Sequence, residues 1–135
     1  MSKLEQFKSE VESGYAFQGE SVVLGAAMFD RKINSGLLVK MPLKMFNRHG
    51  LIAGATGTGK TKTLQVIAEQ LSKSGVPSLL MDVKGDLSGI AAKGEPNARI
   101  EERSGQIGIH FTASGNPVEF LSISGEKGLR VRATV

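Results

Sequence analysis

Eight consecutive residues, Gly54-Ala55-Thr56-Gly57-Thr58-Gly59-Lys60-Thr61, satisfy the pattern G-x-x-x-x-G-K-[ST], whose chemistry is the holding of nucleotide phosphates. Each residue type has a physical reason. Glycines admit backbone conformations closed to other residues and let the chain approach phosphate oxygens without a Cβ in the way. Successive loop N–H groups then converge on an anion, and a helix beginning near Lys60 adds the partial positive charge of its N-terminus. Lys60 is suited to reach the β- and γ-phosphates, and the Thr61 hydroxyl to ligate Mg2+. The candidate nucleotide-binding residues are Gly54, Ala55, Thr56, Gly57, Thr58, Gly59, Lys60, Thr61 and Lys62, with Thr61 the metal ligand and ATP with Mg2+ the expected cofactors. The bland alternative is a glycine-rich connector that binds nothing.

Asp82, at the end of Ser-Leu-Leu-Met-Asp, is the candidate catalytic carboxylate. Four mostly apolar residues followed by an acid match the strand whose carboxylate holds Mg2+ through water in phosphate-loop enzymes. Three readings stay open: a metal or water ligand, a group near the nucleotide that touches no metal, or a loop charge at the carboxyl end of a strand. Asp82-Val83-Lys84-Gly85 also spells D-x-x-G, a GTPase signature. A guanine reader of the form N-K-x-D is missing, because the asparagines at 34, 47, 97 and 116 are followed by Ser, Arg, Ala and Pro. His49 and His110 are far apart in sequence and read as surface or packing groups. Arg130 and Arg132, separated by one Val, read first as the outer face of a strand.

The elements that must position these groups are legible as periodicities. The apolar run 49–53 predicts a strand into the loop, and Leu64, Ile67, Ala68 and Leu71 share one face of a helix over 60–74 that stops at Gly75 and Pro77. Residues 78–83 predict a strand buried on both faces, completing a βαβ unit of a parallel sheet. Upstream, Leu4, Phe7 and Val11 predict a short helix closed by Gly14, and 20–28 and 36–41 predict strands separated by a turn over 30–36. Downstream, an irregular stretch is expected through 106. The alternation of Ile107, Ile109 and Phe111 predicts a strand that returns over 118–122 as a hairpin. The expected fold class is α/β: an incomplete P-loop, RecA-like parallel sheet behind a small N-terminal β/α element. The expected domains are 1–45 and 46–135, the second truncated.

Composition bounds the rest. The 135 residues hold no Cys, which excludes a disulfide scaffold and a thiolate metal site. No apolar stretch approaches the ~20 residues of a membrane helix, and the mixed Lys and Glu of the amino terminus do not make a secretory signal, so a cytoplasmic location and no membrane partner are expected. The net charge of +4 is spread evenly: 7 basic against 5 acidic groups in residues 1–50, 6 against 4 in 51–100, and 4 against 4 in 101–135. That distribution reads first as a solvated surface rather than a basic footprint for nucleic acid, and charge alone does not name a partner.

The run from Phe46 to Ile90 resembles the HerA-like ATPases of the YjgR type, in the HerA–FtsK branch of P-loop NTPases. The residues carrying the resemblance are Arg48-His49-Gly50, Ala55-Thr56-Gly57-Thr58, Gly75-Val76-Pro77 and Asp82-Val83-Lys84-Gly85-Asp86-Leu87, and it continues more loosely through Gly115-Asn116-Pro117-Val118 and Arg132-Ala133-Thr134. The resemblance is to the amino-terminal part of such proteins. It implies an ATP-hydrolysing motor fold, a homo-hexamer, and DNA as a partner. It makes Gly57, Gly59 and Lys60 phosphate contacts, Thr61 the Mg2+ ligand, and Asp82 to Asp86 a loop near the nucleotide. In these relatives the Walker B strand, its catalytic Glu and the arginine finger lie further along, so this chain is expected to bind nucleotide with little turnover of its own. A nucleotide-responsive assembly module that binds without turnover is the competing expectation, with a GTPase or small kinase behind it.

Overall fold

The structure is a computed structural model and describes residues 1–132. Helix α1 (Lys3–Gly14) opens the chain on a capping box. Ser2 Oγ accepts from Glu5 N–H at 3.2 Å and the Glu5 carboxylate accepts from Ser2 N–H at 2.6 Å, so two orphan donors of the first turn are satisfied reciprocally. The expected Phe7 face meets β1, with the Phe7 and Phe29 rings 5.1 Å apart.

Strands β1 (Ser21–Phe29) and β2 (Lys32–Pro42) form an antiparallel hairpin. The turn is tighter than the seven residues expected. Asp30 and Arg31 alone reverse the chain, both with positive φ, the backbone that suits the right-handed twist of two-residue hairpins. The polar residues read as turn, Asn34 to Gly36, lie instead in an irregularity of β2. There the register jumps from Met28↔Ile33 to Ala26↔Leu38. The bulge has a use: α3 (Ala98–Ile107) ends against it, with Ser35 Oγ donating to the Gly105 carbonyl at 3.4 Å.

Helix α2 (Lys60–Lys73) follows the glycine loop as expected and buries Ala68 and Leu71. It packs on β1, whose Val22 is fully buried. The Gln70 amide fixes the contact: Val23 N–H donates to Gln70 Oε1 at 2.8 Å, and Gln70 Nε2 donates to the Val23 carbonyl at 2.8 Å. Beyond α2, Leu87 and Ile90 close the small core around a 3-10 turn over Ser88–Ala91.

Three expectations are corrected. Residues 49–53 and 78–83, read as neighbouring strands of a parallel sheet, pair with no strand among the described residues, and Leu51, Leu79, Met81 and Val83 are 88%, 79%, 89% and 99% exposed. A strand exists only through its partner's hydrogen bonds, and the longer of the two sheets among the described residues, β1–β2, is an antiparallel hairpin that includes neither segment. A RecA-like sheet is thus not what the described residues form; the architecture is a small α/β arrangement with short sheets. The second correction is α3, in a stretch expected to be irregular and then a strand. The Asn97 side chain accepts from Ile100 N–H at 3.0 Å as N-cap, and Gly108 ends the helix in the left-handed region, so the Ile107 and Ile109 alternation straddles a helix end. The third is the expected hairpin at 118–122. Strand β3 (Leu121–Ser122) pairs in parallel with β4 (Leu129–Arg130), and no strand precedes it at 106–111. Arg130 sits in β4 as expected and Arg132 just beyond it, while Ala133 and Thr134 lie outside the described residues.

Candidate functional site

The loop between Gly54 and α2 is held by its own backbone. The Ala55 carbonyl is its hub, accepting from Thr58 N–H at 3.4 Å, Thr58 Oγ at 2.7 Å and Lys60 Nζ at 2.7 Å. Gly57 (φ +81°) and Gly59 (φ +96°) both occupy the left-handed region, and Gly59 is the N-cap of α2. A Cβ on Gly54 would stand 2.6 Å from Thr58 Oγ. The glycines of the motif are therefore required by this loop's own geometry, two by backbone conformation and one by space.

The first turn of α2 continues this order. Thr63 N–H and Thr63 Oγ both donate to the Gly59 carbonyl, at 2.9 and 3.2 Å. Lys60 is half-buried, while Thr61, Lys62 and the loop from Gly54 to Gly59 are exposed. The Lys60 ammonium lies folded over the loop, using one of its three donors on Ala55. The residues expected from sequence to hold phosphate lie together in this loop and the first turn of α2, and a side chain at position 54 would displace the Thr58 hydroxyl from its place on the Ala55 carbonyl.

Asp82 is not free. Its Oδ1 accepts from Lys84 N–H at 3.2 Å and Gly85 N–H at 2.8 Å, and its Oδ2 accepts from Leu87 N–H at 2.7 Å. The carboxyl is held below its ordinary value, first by the Leu87 hydrogen bond, against some desolvation, and then by those from Gly85 and Lys84. A carboxylate offers about four lone-pair sites, so three are spent on shaping the loop from Val83 to Leu87. Among the described residues no group of three or more His, Cys, Asp or Glu stands together to hold a metal ion.

Two residues of the site's surroundings were not singled out by the sequence: Gln65 donates to the Asp86 carbonyl, and Gln70 grips β1. Asn116, named there within the Gly115–Val118 resemblance, donates its Nδ2 to the Ile90 carbonyl at 2.9 Å. The only signal for the glutamines is their place beside the apolar face of α2, where a solvated side chain looks the same. A cavity of 890 Å3 lies between α2, residues 75–80 and residues 116–121, lined by Ala68, Leu80, Ile90 and Phe120 among others. It takes in none of the loop residues 54–62. It is a largely apolar groove behind the helix, apart from the glycine loop.

The decisive comparison spans most of the chain: residues 29–135 match the family model described as Helicase HerA-like C-terminal. The chain belongs to this family. The matched stretch takes in β2 together with the glycine loop and α2. The HerA-like description refers to a C-terminal domain, so the expectation of an amino-terminal portion is corrected to the coarser statement of HerA family membership. No curated protein and no solved structure matches the chain. Among the described residues no helix is long and apolar enough to cross a membrane.

Proposed function

We propose that this chain binds ATP with Mg2+ through Gly54, Ala55, Thr56, Gly57, Thr58, Gly59, Lys60, Thr61 and Lys62, as part of a HerA-like ATPase of the YjgR type in the HerA–FtsK branch. The observation that carries the reading is the loop hub at Ala55. It folds the ammonium of Lys60 over a loop whose glycines are conformationally required, in a chain of the HerA-like family. The backbone N–H groups of the loop and Lys60 would hold the phosphates, and the Thr61 hydroxyl would hold the metal. Mg2+ when bound supplies neutralisation of phosphate charge. Asp82 shapes the neighbouring loop. Membership of a HerA–FtsK motor brings with it, as further proposals, a hexameric assembly, a cytoplasmic location, a RecA-like sheet in the assembled ATPase and association with DNA.

The test is nucleotide titration of this chain and of Lys60→Ala. Removing a charged donor to phosphate costs roughly 1.5–3 kcal/mol, so the affinity for Mg·ATP falls about 10- to 150-fold; equal affinity in the two proteins would refute the assignment. Steady turnover is not expected from the loop residues alone, because they include no group that orients an attacking water. A second reading, a module that responds to nucleotide without turnover, is favoured by one observation, the hydrogen-bond chain from Lys62 through Gln65 to Asp86.

A further inference from the structure

The amide of Gln65 joins two segments that carry candidate chemistry. Its Oε1 accepts from Lys62 Nζ at 2.9 Å and its Nε2 donates to the Asp86 carbonyl at 2.9 Å. Both partners fix the amide's orientation, since an ammonium can only donate and a carbonyl can only accept. No other side chain of this length meets both demands: a Glu would serve Lys62 but not Asp86, and a Leu would serve neither. On one side, Lys62 adjoins Thr61 on the helix that the phosphate loop opens. On the other, Asp86 belongs to the segment wound around the Asp82 carboxylate by the N–H groups of Lys84, Gly85 and Leu87. That segment leads into the buried Leu87 and Ile90, and the Ile90 carbonyl is in turn held by Asn116.

We infer that Gln65 is a positioning residue of the nucleotide site, coupling Lys62 to the backbone of the Asp82–Leu87 segment so that nucleotide bound at the loop orders that segment. The inference rests on the nucleotide-binding reading above and assigns it a second element and a direction. An ammonium carries three donors, so Lys62 serves an anion and Gln65 together. An anion that immobilises Lys62 immobilises the amide, and through it the Asp86 carbonyl. The Asp82 carboxylate then spreads the constraint over three backbone amides. Coupling through such contiguous contacts amounts to about a two- to thirtyfold change in a local equilibrium.

Residue-resolved hydrogen exchange tests this on the whole chain, with and without Mg·ATP at a concentration saturating for each variant. In the parent protein Mg·ATP slows exchange at Lys84, Gly85 and Leu87 by about two- to thirtyfold. In Gln65→Leu and Gln65→Glu that slowing is lost, while slowing at the loop amides 55–61 remains. The Glu variant keeps a partner for Lys62 and its helix propensity, so it separates loss of coupling from loss of fold. Equal slowing at 84–87 in parent and both variants overturns the role of Gln65. Slowing at 55–61 without any at 84–87 in the parent overturns the coupling and leaves nucleotide binding standing. No slowing anywhere at saturating ATP overturns the nucleotide-binding reading itself.

Discussion

At Gly59 the backbone is in the left-handed region at φ +96°, and α2 begins on the next residue. A Cβ there meets the following carbonyl at a cost of roughly 1–2 kcal/mol. Gly59→Ala is therefore expected to lower the thermal midpoint and to reduce ATP affinity, both seen by calorimetry. A second residue sets a pH window. Asp82 has its carboxyl pulled below its ordinary 3.8, chiefly by the Leu87 N–H. A depressed carboxyl contributes order that is fully present above the unfolded value and is lost as pH falls through the folded one. The amide resonances of Lys84, Gly85 and Leu87 should thus hold their positions from neutral pH down to about 5 and broaden or shift only below the ordinary value. Asp82→Asn, which keeps one acceptor and cannot protonate, should shift them at neutral pH and remove the acid transition. The phosphate-loop motif was legible in sequence because glycine and lysine have few other reasons to stand at that spacing. The use of Asp82 was not, because a carboxylate satisfied by its own backbone has the same sequence as one awaiting a metal.

Among the elements, those that form from local signals were readable: α1 from the spacing of Leu4, Phe7 and Val11 and its stop at Gly14, and α2 from its apolar stripe and its stop at Gly75 and Pro77. Strands 49–53 and 78–83 were misread because apolar runs report a desire for cover, and pairing depends on a partner that no local pattern encodes. Helix α3 shows the opposite error. Asn97 and Gly108 bound it in the structure, while the alternation of Ile107, Ile109 and Phe111 reads as a strand across its end. Asn97→Ala removes the hydrogen bond to Ile100 N–H and is expected to cost about 1 kcal/mol of helix stability, seen as faster amide exchange confined to the first turn of α3. Its effect on the loop 54–61 should be small, since α3 packs chiefly on β2.

The whole molecule exposes 10841 Å2 of accessible surface at 14.3 kDa, where a compact monomer of that mass exposes about 6,800 Å2. The excess is apolar where the unpaired segments run, at Leu51, Leu79, Met81 and Val83. The isolated chain should therefore bind a hydrophobic dye and unfold over a broad temperature range, with a midpoint that depends on concentration as copies associate. A sharp, concentration-independent transition without dye binding would contradict this. One contact bears on how such association is directed. The Gln70 amide matches the donor and acceptor of Val23 the way a single residue of a neighbouring strand would. The helix thereby plugs the outer edge of β1 at one rung, leaving a would-be incoming strand no continuous row of free groups there. The hairpin edge is guarded by a side chain, and self-templating growth is steered toward residues 78–83, whose backbone has no such guard.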